Sequence, residues 1–119
     1  MATPESKLQR KINNYLKERD IIVVKYQQGM TTSAGFPDEI VIYKGVFLGL
    51  EFKVAGNYPS KIQKAWNNKL VNSSAFSIVV YELQDVIEAL AEIDYKLNGG
   101  GLHGGMNPAA WGKYQGKTK

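Results

Sequence analysis

The 119-residue sequence has no cysteine. That excludes a disulfide framework and any thiolate-held metal site, and it suits a reducing compartment. Long apolar runs are missing too. Nothing approaches the roughly 18 consecutive apolar residues that span a bilayer, and the N-terminal MATPESKLQRK lacks the hydrophobic stretch of a signal peptide. A soluble, cytoplasmic protein is expected. Histidine is nearly absent: the single one, His103, lies in a Gly-rich stretch without the companions a zinc site or a general base would need. Acid is scarce over most of the chain. Residues 1–81 carry 11 Lys/Arg against 6 Asp/Glu, residues 82–96 carry one Lys against five acids, and residues 97–119 carry three Lys and no acid. A net charge of +4 therefore understates a basic body and a basic tail on either side of one acidic segment, an asymmetry that suits a polyanionic partner.

What is present is enough for one domain. Hydrophobic residues make up 44% and charged residues 22%, close to globular averages, so a packed core is expected. Thr3-Pro4 is a good helix start, and Leu8, Ile12, Tyr15 and Leu16 recur at spacings of three and four. Glu5 falls on the same stripe, one turn before Leu8. Ile21 to Val24, extending towards Gln27, reads as a strand, and Gln28 to Phe36 as a polar loop. Ile40 to Tyr43 and Val46 to Val54 read as a hairpin around a Lys44-Gly45 turn. Ser60-Lys61-Ile62-Gln63 has the form of a capping box and predicts a helix with Ile62, Trp66 and Leu70 on one face. Phe76 to Tyr81 predicts a buried strand. Glu82 to Lys96 predicts a helix with Val86, Leu90 and Ile93 inward. The order αβββαβα predicts an α/β fold with a central four-stranded mixed sheet flanked by helices, the last two strands joined by a parallel crossover. Residues 1–97 form the expected domain. Residues 98–119, rich in glycine and lysine, read as a tail that is flexible or ordered by a partner, in which Trp111 and Tyr114 could stack on bases or cover an apolar patch.

The chemistry concentrates in Gly35 to Lys53. If Tyr43 faces Val46, the ladder places Asp38 opposite Glu51, and Lys53 shares their face while Phe52 points the other way. Like charges directly opposed destabilise a sheet. A divalent cation between the two carboxylates would remove the conflict, with the Phe52 backbone carbonyl as a further oxygen ligand and Lys53 placed to orient water or offset negative charge. The plainer alternative is an exposed strand with alternating charges, which is common. Ser33 and Lys25 are placed to touch phosphate, as any loop serine or strand lysine would be.

Gly35-Phe36-Pro37-Asp38, then Glu51-Phe52-Lys53, then Gln63 resemble the motif of the PD-(D/E)xK nucleases. The Gly-x-Pro-Asp form and the short spacing are similar to the stand-alone phage and bacterial members of the VRR-NUC family, over roughly residues 5–93. The resemblance implies a restriction-endonuclease-like fold and a Mg²⁺- or Mn²⁺-dependent endonuclease. It implies a homodimer that acts on branched DNA in the manner of a Holliday-junction resolvase. Asp38 and Glu51 would then be metal ligands, Lys53 catalytic, Glu5 a ligand directly or through water, and Gln63 a residue near the active site. Glu5 is equally accounted for by the helix dipole, and Gln63 by the capping box. A non-catalytic nucleic-acid-binding protein and a restriction-type nuclease acting on linear duplex are the alternative readings.

Overall fold

The computed structural model describes residues 3–25 and 34–100; the expectations for residues 26–33, for His103, Trp111 and Tyr114, and for the rest of the tail beyond Gly100 lie outside the described residues. The elements run α1 (Pro4–Glu18), β1 (Ile22–Lys25), β2 (Glu39–Tyr43), β3 (Val46–Phe52), α2 (Lys61–Asn72), β4 (Phe76–Val80) and α3 (Leu83–Tyr95), followed by a π-turn over Lys96–Gly100. The four strands form one sheet in the order β1-β2-β3-β4. The first two pairings are antiparallel and β3–β4 is parallel, as a crossover through α2 requires.

The hairpin register is the expected one. Tyr43 pairs with Val46 and Glu39 with Leu50, which carries the ladder to Asp38 and Glu51 at its open end. Lys44 and Gly45 both have positive φ, at 52° and 82°. That is the backbone a two-residue turn needs to follow the twist of its strands, and the strand ladder holds a lysine in it.

Strand alternation gives the sheet two different faces. Val41, Leu48, Leu50, Phe52, Phe76, Ile78 and Val80 point to one side, where Ile12 and Leu16 of α1 and Val86, Ala89, Leu90 and Ile93 of α3 close the core. Thr3 caps α1 in a reciprocal pair with Ser6, with Pro4 in the first turn. The other face is covered by α2, and here the expected inward stripe is corrected. Ile62 is 53% exposed, whereas Asn67 is buried and accepts a hydrogen bond from the Ser77 hydroxyl. This face is more polar than the core face, so α2 is held partly by hydrogen bonds. None of the helices among the described residues is long and apolar enough to cross a membrane.

Candidate active site

The site is built on the polar face, where the chain enters β2. Gly35 has a φ of +87°, and a Cβ there would collide with the Ile62 side chain and lie 2.9 Å from the Ile62 backbone carbon. Only glycine allows the first turn of α2 to come so close. Phe36 then sets its ring edge-on to Trp66, with centroids 5.1 Å apart. Pro37 is buried over Gly49, where a Cβ would meet its ring at 2.7 Å. These contacts deliver Asp38 in a fixed orientation. Its N–H donates to the Leu50 carbonyl at 2.9 Å, and its Oδ2 accepts from the Phe52 N–H at 2.9 Å. Asp38 thus spends one carboxylate oxygen on the backbone of the strand that carries Glu51.

Glu51 is 4% exposed and faces Asp38 across the ladder. Its Oε2 accepts a hydrogen bond from Gln63 Nε2 at 2.5 Å. Gln63 also accepts from the Ser60 N–H at 2.8 Å, while its own N–H donates to Ser60 Oγ at 3.2 Å. Gln63 therefore completes the helix cap and also holds the Glu51 carboxyl. Burial, then the negative charge of Asp38, push the Glu51 carboxyl up to about 8, against the pull of Lys53. Burial also raises Asp38, partly offset by the Phe52 N–H, by hydrogen bonding with Glu51 and by Lys53. The two carboxyls are in hydrogen-bonding reach of each other, so the pair retains a proton in the absence of a cation. Lys53 is half-buried at the end of β3, anchored by its N–H to the Val80 carbonyl at 3.0 Å.

Glu5, which shares the stripe of Leu8 and Ile12 by helical phase, is exposed in the first turn of α1. Its charge nevertheless reaches Glu51, where it is the smallest of the upward influences. Among the described residues no three acidic or imidazole side chains gather closely enough to hold an ion together. The protein thus offers two hard oxygen donors, Asp38 and Glu51, with Glu5 close by. Such a sparse set suits a divalent cation that keeps several waters better than one that demands a full cage.

Another buried carboxylate, Glu39, has no counterpart among the sequence expectations. Glu39, next to Asp38, turns to the opposite face and is 0% exposed. Its Oε2 accepts from Gln9 Nε2 and, at 2.9 Å, from Asn13 Nδ2, and Lys25 Nζ lies 3.9 Å away. Lys25 thus sits beside Glu39 with its side chain 64% exposed. The signal available in the sequence was the Glu5, Gln9, Asn13 spacing of four, which marks one helix face.

No family model matches the sequence, and no curated protein matches it either. Solved structures do. One described as "VRR_NUC domain" superposes with a TM-score of 0.65 at 23% identity, covering 76% of this chain and 97% of that one. Another, described as "VRR_NUC domain protein", gives 0.61 at 20% identity, covering 77% and 88%. The architecture is that of a restriction-endonuclease-like α/β domain. Within that class, the chain has the VRR-NUC fold.

Proposed function

We propose that this protein is a metal-dependent endonuclease that hydrolyses phosphodiester bonds in branched DNA, including four-way junctions. The observation that supports this best is the carboxyl pair. Asp38 and Glu51 are brought into contact from two strands, one fixed by the backbone and the other by Gln63, at the cost of like-charge repulsion. A fold does not arrange that conflict for stability, since a neutral pair would hold the sheet better. The arrangement suits a divalent cation such as Mg²⁺ or Mn²⁺ held by Asp38 and Glu51, with the Phe52 carbonyl as a further oxygen donor and Glu5 reaching the cation through water. When bound, the cation would supply Lewis acidity towards a phosphate oxygen and acidify a water.

The chain's own residues have separable tasks in this reading. Asp38 and Glu51 supply the negative charge that draws a cation to the end of the sheet. Gln63 holds the Glu51 carboxylate in one orientation. Lys53, on the same face, places a positive charge beside the pair, where charge develops on the phosphate being cleaved. A symmetric homodimer would present two such sites to the two strands of a junction. The cysteine-free composition suits action in the cytoplasm.

The test is to offer purified protein linear duplex, flap and four-way DNA, with Mg²⁺, with Mn²⁺ and with chelator. Metal-dependent cutting that favours the branched substrates, lost in Lys53→Ala, is the expected result. Equal cutting of linear duplex would replace junction selectivity with a restriction-type activity. Binding without cutting under every metal condition would make the protein a non-catalytic DNA binder.

A further inference from the structure

We infer that the groove between α1 and β1 is a track for the phosphate backbone of the DNA strand that runs from the Asp38–Glu51 site. This rests on the nuclease reading and adds a surface to it, on the opposite face of the sheet from Asp38, Glu51 and Gln63, so the strand would pass around the end of the sheet where the charge of Glu5 reaches Glu51. The groove encloses about 570 Å³. Its walls carry Arg10, Lys17 and Lys25, and among the described residues its lining contains no carboxylate. Arg10 and Lys17 are exposed and have no acidic partner among those residues. Arg10 and Lys17, together with the exposed end of Lys25 whose only acidic neighbour among the described residues is the buried Glu39, form an electrostatic footprint for a polyanion on a concave wall.

Position ties the groove to the candidate site. It begins at Ser6, next to Glu5, whose charge is felt by Glu51. Lys25 is in register with Glu39, the residue after Asp38. From Ser6 to Lys17 the helix runs on the order of 16 Å at 1.5 Å per residue. That is room for about five nucleotides of a duplex strand at roughly 3.4 Å each. The wall is also braced. Buried Glu39 takes the amide hydrogens of Gln9 and Asn13 inward and lies against Lys25, so the lining side chains are held from beneath while Lys25 keeps its exposed end. Among the described residues the lining has cations, polar side chains and the apolar Ile21 and Val23, but no aromatic ring on which a base could stack. It therefore reads the backbone and not the sequence.

The experiment measures binding of the full chain to fluorescent four-way and linear DNA over a range of salt, with Lys53→Ala as the background to block cutting. Replacing Arg10, Lys17 and Lys25 together by Gln should weaken binding at least tenfold. It should also lower the slope of log affinity against log salt by about 2–3, close to one per lost phosphate contact. Arg10→Gln with Lys17→Gln, which touches no buried group, should give about two thirds of that change, so a folding defect from losing the partner of Glu39 does not blur the outcome. A control with Lys11, Lys44 and Lys69 changed to Gln removes the same charge elsewhere and should leave the slope unaltered. Unchanged slopes in the groove variants, an equal loss in the control, or equal competition by polyglutamate would overturn the track. Cutting by the unmodified protein with unchanged binding in the groove variants sinks the track alone. Groove-dependent binding with no cutting in Mg²⁺ or Mn²⁺ sinks the nuclease reading alone.

Discussion

Glu39 and Glu51 are both buried glutamates on paired strands, and both are gripped by helix amides, yet their surroundings are opposite. Glu39 faces the α1 side, with two amide donors on one oxygen and a lysine beside it. Glu51 faces the α2 side, with one amide donor and a second carboxyl against it. The first has one oxygen held by two amides beside a lysine, while its Oε1 is buried without a hydrogen-bond partner among the described residues. The second is a carboxyl whose ionised form the protein leaves in conflict. Burial alone therefore does not distinguish a candidate site carboxylate from a structural one. What separates the two is whether the neighbours relieve the charge or oppose it.

The sharpest way to break this contrast is Glu51→Gln. The amide keeps the shape and can still accept from Gln63, but it removes the charge that would hold a cation. Cleavage of branched DNA should fall by about 10²–10³-fold or more, as measured by single-turnover rates. Stability should move the other way. In the unfolded chain Glu51 titrates near 4.5, and in the fold near 8. Between those values the folded protein keeps a proton that the unfolded chain has lost, so stability falls as pH rises. The contribution is fully present below about 4.5 and is gone once pH passes about 8. Urea unfolding in chelator should show this decline in the unmodified protein and lose most of it in Glu51→Gln. Added Mg²⁺ or Mn²⁺ should restore the unmodified protein at high pH, because it binds the ionised pair, and should not restore the variant. A flat profile in the unmodified protein would remove the contrast.

Glu39→Ala should invert the pattern. It orphans the half-buried amides of Asn13 and Gln9, each worth roughly 1–3 kcal/mol, so a stability loss of about 2–4 kcal/mol is expected by urea unfolding. Cleavage per folded molecule should stay within about tenfold, far less than the loss at Glu51. A collapse of activity with stability intact would place Glu39 in the chemistry and undo the distinction.

The contrast is half legible in the sequence. The hairpin can be counted residue by residue because strand periodicity is two and the turn is short, so Asp38 and Glu51 fall opposite each other from the sequence alone. Helix starts are legible for the same local reason: Thr3 and Ser60 cap as their neighbours imply. What fails depends on contacts between distant segments. Ile62 looks inward by periodicity, but Gly35 brings the helix start so close that its side chain is left at the rim, and Asn67 takes the buried position. Glu39 looks like an ordinary charge on a strand. Its burial follows from Gln9, Asn13 and Lys25, which lie 30, 26 and 14 positions away along the chain and meet it only through the fold. Glu5 shows the converse: helical phase points it inward, but at the first turn the stripe has already run past the edge of the core.

The smallest expected effect refines how Glu51 is held. Gln63 is bound at both ends, to Glu51 and to the N–H of Ser60, while the Ser60 hydroxyl takes the Gln63 N–H. Ser60→Ala removes only the last of these, the helix cap, and should cost about 1 kcal/mol. The side chain of Gln63 keeps its backbone partner, so cleavage should change by no more than about threefold. Gln63→Ala breaks the cap from the other side and also frees Glu51, so it should cost similar stability and considerably more activity. The pair of variants has nearly the same effect on the helix and a different effect on the carboxylate. Equal activity losses in the two would mean that the start of α2, and not the amide of Gln63, sets the orientation of Glu51. The tight approach at Gly35 would then be the feature that positions the site.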